Sequence, residues 1–359
     1  EYKWHFQHTP GDQWDFDSNA QITLTNVEID GEERRIAVQA VKNGFFYAVD
    51  ARTGEFLSAE AYVPQNWAEG IDPESGKPTI REEARYHETG APFVGMPGAI
   101  GAHNWQPMSY SAQTGLVYIP VIQGVFPYTA AEGWEPSKNG FQTGLDMGKT
   151  AMPADAEVRE GALAANTGAL VAWDPVKQRE VWRVERESPW NGGTLATAGN
   201  LVFQGDAAGN FSAYSADGGE ELWSFPAQSG IIAAPMTYAI DGEQYVAVMV
   251  GWGGVWDVAT GLLARKGGSA RNISRLLVFK LGAKGALPEL AENTQRVLDP
   301  PPFTGTDEQV SRGSSLYGRY CAVCHGDAAI AGGLNPDLRY SGVVSSAEAM
   351  QKVVIGGML

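Results

Sequence analysis

The chain has 359 residues, of which 43% are hydrophobic and 10% aromatic, and its formal net charge at pH 7 is −16. That apolar content excludes a disordered chain and suffices for two or more domains with a large core. The charge argues against nucleic acid as a partner, because binding to phosphates needs a basic surface. The 44 glycines and 11 tryptophans favour Gly-rich turns between aromatic strands, a composition typical of an all-β body.

The two ends of the chain lack the features of natural termini. The chain begins Glu1-Tyr2-Lys3-Trp4, without an initiator Met or the apolar core of a signal peptide, and it stops inside the apolar segment Val353–Leu359. We therefore expect a fragment that is cut at both ends. The most apolar window, Tyr245–Ala264, is interrupted by Asp257 and by several glycines, so no transmembrane helix is predicted.

Residues 1–282 are predicted to form many short strands, and three of their segments repeat. The repeated segments are Ala48–Glu55, Ala172–Trp182 and Ala213–Trp223. In the last two, a Trp follows the Ala by ten residues, and the two alanines are 41 residues apart. A strand, a tight turn and a second strand at a period near 40 indicate a propeller blade. The first segment has Ser58 at the Trp position and is a degenerate copy, while Leu201–Gly205 and Tyr245–Val250 are predicted inner strands.

The pattern changes after the last predicted strand. Residues 283–306 lose the β alternation and contain Pro300–Pro302, which predicts a stiff, extended linker. The pattern then turns helical, with Leu316 and Tyr320 four residues apart. Residues 307–359 are therefore predicted to form a small α-helical domain.

That domain contains Cys321–His325, which reads Cys-Ala-Val-Cys-His. Two thiols three positions apart add to the two vinyl groups of one porphyrin, and the adjoining His325 can bind the iron. A redox dithiol does not need the His, and a zinc half-site needs two further ligands, whereas the chain has only these two Cys residues. The motif predicts a haem c attached covalently to Cys321 and Cys324, with His325 on the iron.

The residues after the motif resemble a loop of class I c-type cytochromes. In that family a Pro carbonyl holds the ligating His, and the matching segment here is Gly332–Arg339. The sixth iron ligand of the family is usually a Met, and only Met350 and Met358 follow. We expect both to be core residues and the sixth ligand to lie beyond Leu359.

Together, the propeller with Trp-bearing repeats, the Pro-rich linker and the haem motif resemble the quinohaemoprotein alcohol dehydrogenases, which use pyrroloquinoline quinone (PQQ). The resemblance covers the whole chain, which would correspond to roughly the C-terminal half of such an enzyme. It implies an all-β propeller, partial and of the eight-bladed type with tryptophan-docking repeats, over residues 1–282. It also implies a small α-helical class I cytochrome c domain, truncated, over residues 307–359.

The segment Phe6–Asp17 resembles the catalytic motif of this family, and Asp15 matches its base beside the metal and the quinone. A carboxylate can accept an alcohol proton while the hydride leaves, and a nearby cation keeps it ionised. Asp17 resembles the mark of lanthanide enzymes, because a trivalent ion takes one more negative ligand than calcium does. The alternative is calcium, with Asp17 facing solvent.

The resemblance also implies residues that bind the quinone. Lys42, 27 residues after Asp15, matches a cation that would stabilise the charge the quinone gains on reduction. The other matches lie in three segments rich in Trp, Asn and Gly. They are Asn104, Trp105, Asn191, Trp252 and Gly254. Glycines at strand starts let backbone amides approach a planar ligand, whereas Trp252 could equally pack between blades.

Several family features are not in this sequence. Two further metal ligands (a Glu and an Asn), a vicinal disulfide and a Trp below the quinone are expected upstream of Glu1. The chain by itself is therefore not expected to bind PQQ or to turn over.

The resemblance implies periplasmic oxidation of an alcohol to an aldehyde or ketone, with electrons leaving through the haem. The implied cofactors are PQQ, Ca²⁺ or a lanthanide ion, and haem c. The implied partners are a small-molecule alcohol and a downstream acceptor such as a cytochrome, a copper protein or a membrane quinone. Covalent haem attachment favours a location outside the cytoplasm. The alternative function is a non-catalytic electron carrier in which the propeller is a docking scaffold.

Overall fold

A computed structural model describes residues 1–136, 143–153, 155–253, 261, 263, 266–268, 272–291, 297–300, 302, 304–331 and 335–357. Its strands are β1 (Thr23–Ile29), β2 (Glu32–Ala40), β3 (Phe45–Asp50), β4 (Phe56–Ala61), β5 (Ala68–Ile71), β6 (Pro78–Ile80), β7 (Phe93–Gly95), β8 (Ser109–Ser111), β9 (Leu116–Gln123), β10 (Phe126–Tyr128), β11 (Thr167–Asp174), β12 (Arg179–Arg186), β13 (Thr194–Thr197), β14 (Leu201–Gly205), β15 (Asn210–Ser215), β16 (Glu221–Pro226), β17 (Met236–Ile240), β18 (Glu243–Val250) and β19 (Arg275–Lys280). The α-helices are α1 (Tyr86–Thr89), α2 (Ala156–Ala164), α3 (Asp307–Tyr320), α4 (Ala322–His325) and α5 (Ala347–Gly356).

Most of the strands form four successive antiparallel sheets, which we call blades 1 to 4, and the pairs β5-β6 and β7-β10 form two small two-stranded sheets. Blade 1 is β1-β2-β3-β4, blade 2 is β8-β9-β11-β12, blade 3 is β13-β14-β15-β16, and blade 4 is β17-β18-β19. Strands that follow one another along the chain pair within each blade, except that β10 and α2 lie between β9 and β11 in sequence. The expected propeller architecture is confirmed for this part of the chain.

The three repeated segments form equivalent hairpins, β3–β4, β11–β12 and β15–β16. Each hairpin has a register shift at the same point of the repeat, after Ala48, Ala172 and Ala213. A bulge at this point increases the local twist of each blade. The predicted strand Leu201–Gly205 is β14, and Tyr245–Val250 lies within β18.

The repeat tryptophans link neighbouring blades. The Trp182 indole of blade 2 donates to the Ala216 carbonyl in the blade 3 turn at 3.1 Å. Where blade 1 has Ser58 instead of Trp, the Gln178 amide of blade 2 donates to its hydroxyl at 2.9 Å. The degenerate repeat thus keeps a hydrogen bond between blades, but its donor is the Gln178 amide in the turn of the next blade and not a Trp indole.

The core lies between the blades. Alternate residues of a strand point to opposite faces. In β9, Val117 and Ile119 therefore pack against blade 1, whereas Tyr118 packs against blade 3. A further apolar cluster joins blades 3 and 4 around Phe211 and Val248.

The C-terminal region is helical. The helix α3 begins after Thr306, whose hydroxyl accepts from the Gln309 N–H while the Gln309 side chain accepts from the Thr306 N–H, a capping box. It leads directly into α4, which contains the second Cys and the His of the haem motif. The domain boundaries at 282/283 and 306/307 stay predictions. Among the helices that the structure describes, none has the length and apolar character needed to span a bilayer.

Candidate active site and haem site

The loop that contains Asp15 has an unusual backbone conformation. Asp15 has φ of +68°, in the left-handed region that non-glycine residues seldom occupy. The Asp12 carboxylate accepts from the backbone N–H of Trp14 at 2.9 Å and of Phe16 at 2.7 Å, on the two sides of Asp15. Asp12 therefore stabilises the turn that presents the Asp15 side chain.

Aromatic side chains from distant segments hold the same loop. The Tyr86 hydroxyl donates to the Gln13 carbonyl at 2.7 Å, and the Tyr128 hydroxyl donates to the Trp14 carbonyl at 2.9 Å. The Trp14 side chain is fully buried, and its indole N–H donates to the Ala84 carbonyl at 2.9 Å. A non-glycine residue keeps a left-handed backbone only where the surrounding structure holds it. These hydrogen bonds therefore explain how the Asp15 loop keeps its strained conformation.

Lys42 lies beside this loop, in the turn between β2 and β3. Its side chain is only 4% exposed, and its Nζ lies 2.7 Å from Asp17 Oδ1 and 3.4 Å from Asp15 Oδ2. A Cβ added at Gly101, which has φ of +83°, would lie 2.4 Å from Lys42 Cγ, so a side chain there would displace the lysine. The close approach of Gly101 thus confines Lys42 to the side of the two aspartates.

The electrostatics of this cluster favour a cation. Partial burial raises the pKa of Asp15, the ammonium of Lys42 opposes that shift, and the nearby Asp17 adds to it. Two carboxylates share one buried ammonium, which leaves a net negative charge when both are ionised. A metal ion beside Asp15 would complete the charge balance, so the residues present fit a metal-binding role.

Asn104 and Trp105 lie next to the same cluster. The Asn104 side chain donates to the Ile100 carbonyl at 2.7 Å and accepts from the Asn19 amide at 3.0 Å. It also accepts from the backbone N–H of Trp105 at 2.9 Å. The Trp105 ring is 44% exposed and can therefore contact a ligand. These contacts connect Asn104 with the segment that packs on Lys42.

The other predicted quinone contacts lie around Trp190. Trp105 and Trp190 meet edge to face, with ring centroids 6.2 Å apart, and Trp252 packs in the apolar cluster that contains Trp190. Asn191 is buried; its amide donates to the Ser188 carbonyl, and its oxygen accepts from the Ala207 N–H. The Asn191 side chain thus links its own loop to the turn between β14 and β15. Gly254 lies outside the described residues.

The predicted haem ligands lie together at the end of α3 and in α4. Cys321 and Cys324 are free thiols, as covalent attachment of a porphyrin needs. The His325 Nδ1 lies 2.9 Å from the Pro336 carbonyl oxygen. A carbonyl can only accept, so Nδ1 carries the proton and the Nε2 lone pair is available for iron. The residues therefore fit a haem c.

Of the two methionines that follow the haem motif, which were expected to be core residues, the structure describes Met350. Met350 lies in α5 and is half-buried, whereas Met358 and residues 332–334 of the predicted cytochrome loop lie outside the described residues. In the part of the chain with described coordinates, no group of three or more His, Cys, Asp or Glu residues could hold a metal ion on its own.

Sequence reasoning missed the residues that hold the Asp15 loop. Asp12 could have been found, because an Asp two residues before a bonded N–H is the spacing of an Asx turn. Tyr86 and Tyr128 could not, because they are 73 and 114 residues from the carbonyls they bind. Gly101 carries no local signal for its contact with Lys42.

Comparisons with known proteins agree with this geometry. The family model described as glucose/ethanol/alcohol dehydrogenase, beta-propeller domain matches residues 1–91 and 149–246, and the model for cytochrome c oxidase, cbb3-type, subunit III matches residues 308–358. The dehydrogenase subunit of the quinone alcohol dehydrogenase from Gluconacetobacter polyoxogenes is 47% identical over 362 residues, which cover 100% of this chain and 49% of that protein. The chain thus spans about half the length of the curated relatives it matches.

Solved structures give the same result. The structure of quinohaemoprotein alcohol dehydrogenase ADHIIG from Pseudomonas putida HK5 matches with a TM-score of 0.86 and 41% identity, over 100% of this chain and 53% of that chain. A europium-containing methanol dehydrogenase matches with a TM-score of 0.59 and 30% identity, over 70% of this chain and 42% of that chain. With a β-propeller model matched over more than half of its residues and a cytochrome domain after it, the chain belongs to the quinohaemoprotein alcohol dehydrogenase family.

Proposed function

We propose that this chain supplies the catalytic base, the quinone-side cation and the haem of a periplasmic PQQ-dependent enzyme that oxidises an alcohol to an aldehyde or ketone. The observation that carries the proposal is the position of Lys42, which is buried between Asp15 and Asp17 on a chain that also holds a haem motif. A lysine on an ordinary surface is solvated and has no need of such a pocket.

Asp15 is the proposed general base. Its carboxylate is 70% exposed and attached to a rigid turn, so an alcohol can reach it while its backbone stays fixed. Partial burial raises its pKa, which makes the carboxylate a better proton acceptor. The carboxylate takes the hydroxyl proton of the alcohol, while bound PQQ, polarised by a metal ion, would supply the hydride acceptor.

Lys42 is the proposed stabiliser of negative charge. The base of its side chain packs against Gly101, and its ammonium is held by the carboxylate of Asp17. A positive charge that is oriented before the reaction stabilises a developing oxyanion without a reorganisation cost. Trp105, Asn104, the Asn191 loop, Trp252 and Gly254 are proposed to border the quinone.

We propose calcium as the resident ion, with Asp15 as one of its ligands. Asp17 hydrogen bonds to Lys42 at 2.7 Å, so its charge is already compensated and a divalent ion suffices. A lanthanide is the second candidate, because Asp17 lies two residues from Asp15 and a europium-containing relative exists. In that case Asp17 would be an additional ligand.

The haem held by Cys321, Cys324 and His325 is the proposed exit for electrons. Each electron would then pass to an external acceptor such as a cytochrome, a copper protein or a membrane quinone. The periplasm is proposed because covalent attachment of haem takes place outside the cytoplasm. The similarity to alcohol dehydrogenases with a cytochrome domain supports this sequence of steps.

The variant Asp15→Asn in the complete holoenzyme tests the proposal. We expect loss of alcohol turnover with an unchanged haem spectrum, because Asn keeps the shape and tolerates the left-handed backbone but cannot accept the proton. Full turnover in this variant would refute the role of Asp15. If wild-type holoenzyme with PQQ and metal does not reduce its haem on addition of ethanol or of larger primary or secondary alcohols, the protein is instead a non-catalytic electron carrier or docking protein.

A further inference from the structure

The segment Met147–Met152, between β10 and α2, joins the propeller to the haem domain. The backbone N–H of Met152 donates to Asp327 Oδ2 at 2.9 Å across 175 residues of sequence. Asp327 lies two residues after His325, the proposed iron ligand. The bond joins a backbone N–H of the propeller to a side chain of the haem domain, so it can hold the two surfaces together.

A second contact lies one helical turn before the haem motif. A Cβ added at Gly318 of α3 would lie 3.1 Å from the Met147 carbonyl oxygen, and a Cβ added at Gly148 would lie 3.1 Å from the Ser315 carbonyl oxygen. Two glycines therefore let the backbones of α3 and of the short 3₁₀ helix Met147–Lys149 touch directly. We call this pair of contacts, together with the Asp327 bond, the interdomain contact.

The propeller side of the interdomain contact is continuous with the proposed quinone site. The Met152 side chain packs in the apolar cluster of Trp190, and Trp190 meets Trp105 edge to face. In the other direction, Asp146 caps the 3₁₀ helix and bonds through its N–H to the Thr129 carbonyl, next to Tyr128, which holds the Asp15 loop. Residues 146–152 thus contact the haem domain and also bond to Thr129, the neighbour in sequence of Tyr128.

We propose that the interdomain contact fixes the haem domain on the quinone-binding face of the propeller, and that Asp327 is the positioning residue that sets how fast electrons reach the haem. This inference rests on the proposed function. Oxidation of one alcohol molecule delivers two electrons to the quinone, and each electron reduces one ferric haem to ferrous haem before an external acceptor reoxidises it. Asp327 takes no part in the chemistry and acts only through the distance between donor and acceptor.

The test compares two rates in the complete holoenzyme after rapid mixing with alcohol. Stopped-flow absorbance measures haem reduction, and rapid quench measures the first molecule of aldehyde, which forms before any electron needs to leave the quinone. In Asp327→Ala we expect haem reduction to slow by about tenfold or more, since small displacements of reacting groups have effects of this size, while first-turnover aldehyde formation is unchanged.

Two variants separate positioning from charge. Asp327→Asn keeps an oxygen that accepts from the Met152 N–H but removes the charge near the iron, so its haem reduction should stay within about twofold of wild type. Asp307→Ala removes an exposed carboxylate from the same domain and should change neither rate. An Asp327→Asn variant as slow as Asp327→Ala would overturn the proposal, because charge and not position would then control the rate.

A variant on the other contact covers the case in which Asp327→Ala fails to incorporate haem. Gly318→Val pushes α3 away from the Met147 carbonyl and should also slow haem reduction selectively. Gly161→Val, in α2, is the matched control, because a Cβ at Gly161 meets no atom within 4 Å. Wild-type haem reduction in Gly318→Val would overturn the inference. Failure of wild-type enzyme to form any aldehyde would instead refute the proposed function.

Discussion

The Lys42 ammonium donates a hydrogen bond to Asp17 at 2.7 Å, a shorter contact than the 3.4 Å that separates it from Asp15. The two carboxylates are therefore not equivalent, although both are largely exposed and both belong to the same loop. Asp17 is the main partner of the lysine, which leaves Asp15 free to exchange protons and to bind a cation. This difference leads to a first prediction about the metal.

Asp17→Ala should keep its calcium-supported turnover within about tenfold of wild type, because the carboxylate compensates the charge of Lys42 and a divalent ion does not need it as a ligand. The test compares the turnover of wild type and Asp17→Ala after each holoenzyme is reconstituted with Ca²⁺ or with La³⁺. Asp17→Asn is the control that keeps the side-chain volume. A wild-type enzyme that turns over only with La³⁺, and loses that activity in Asp17→Ala, would show that Asp17 is a metal ligand.

Asp12→Ala should lower kcat without a change in the haem spectrum. The substitution removes the two hydrogen bonds that the carboxylate accepts from the backbone of Trp14 and Phe16, so the Asp15 turn should lose its fixed conformation. Steady-state turnover and the thermal midpoint measure the two effects. Asp12→Asn keeps one accepting oxygen and should fall between wild type and Asp12→Ala. Wild-type turnover in Asp12→Ala would mean that the aromatic contacts alone hold the loop.

Tyr128→Phe should reduce turnover by several-fold, since the lost bond to the Trp14 carbonyl contributes about 1 kcal/mol to the position of the adjacent Asp15. Tyr118→Phe is a matched control, because its hydroxyl donates to the Ala216 carbonyl between blades 2 and 3 at 2.8 Å. Both variants should lose similar thermal stability, and only Tyr128→Phe should lose turnover. Equal turnover in the two variants would contradict a link between Tyr128 and the catalytic loop.

His8 should make stability depend on pH. Burial lowers the pKa of His8 to about 4, whereas an unfolded chain has a His pKa near 6.5. The folded protein therefore binds fewer protons, and stability is lost as the pH falls from about 6.5 towards 4, by on the order of 1–2 kcal/mol with partial solvent screening allowed for. His8→Phe keeps an aromatic ring beside Tyr47. When the pH is lowered from about 7.5 to 5, the thermal midpoint of this variant should decrease less than that of the wild type. The exposed His5→Phe is the control; an identical pH response in all three proteins would exclude His8 as the origin.

Much of the fold could be predicted because its signals are local. The repeated Ala, turn and Trp positions lie within one hairpin each, and β14 occupies the five residues that its apolar run indicated. The contact between Gln178 and Ser58 could not be predicted, because it joins residues 120 positions apart in different blades. The side chain that bonds to Ser58, at the position of the missing Trp, is determined by how blades 1 and 2 pack. A single sequence does not show that packing.

In the candidate site, too, some residues could be predicted from the sequence and some contacts could not. The haem residues were predicted from residue type and spacing, whereas Asp15 and Lys42 were predicted from the resemblance to the family, and the structure brings Asp15, Asp17 and Lys42 together. Their roles stay predictions. The sequence could not show that Asn191 links its own loop to the turn between β14 and β15, because Ala207 lies 16 residues away along the chain. Nor could it show the contact of Asp327 with Met152, which exists only once both domains are folded.

The left-handed backbone at Asp15 has a consequence for protein engineering. A library that replaces residue 15 by every amino acid would mix two penalties, loss of the proton acceptor and loss of the turn. Asn and Gly tolerate positive φ, whereas Val, Ile and Thr do not. Inactive clones with Asn or Gly should therefore express at wild-type yield, and β-branched clones should be depleted before any activity screen. Sorting the clones by yield first would thus separate the chemical requirement at this position from the conformational one.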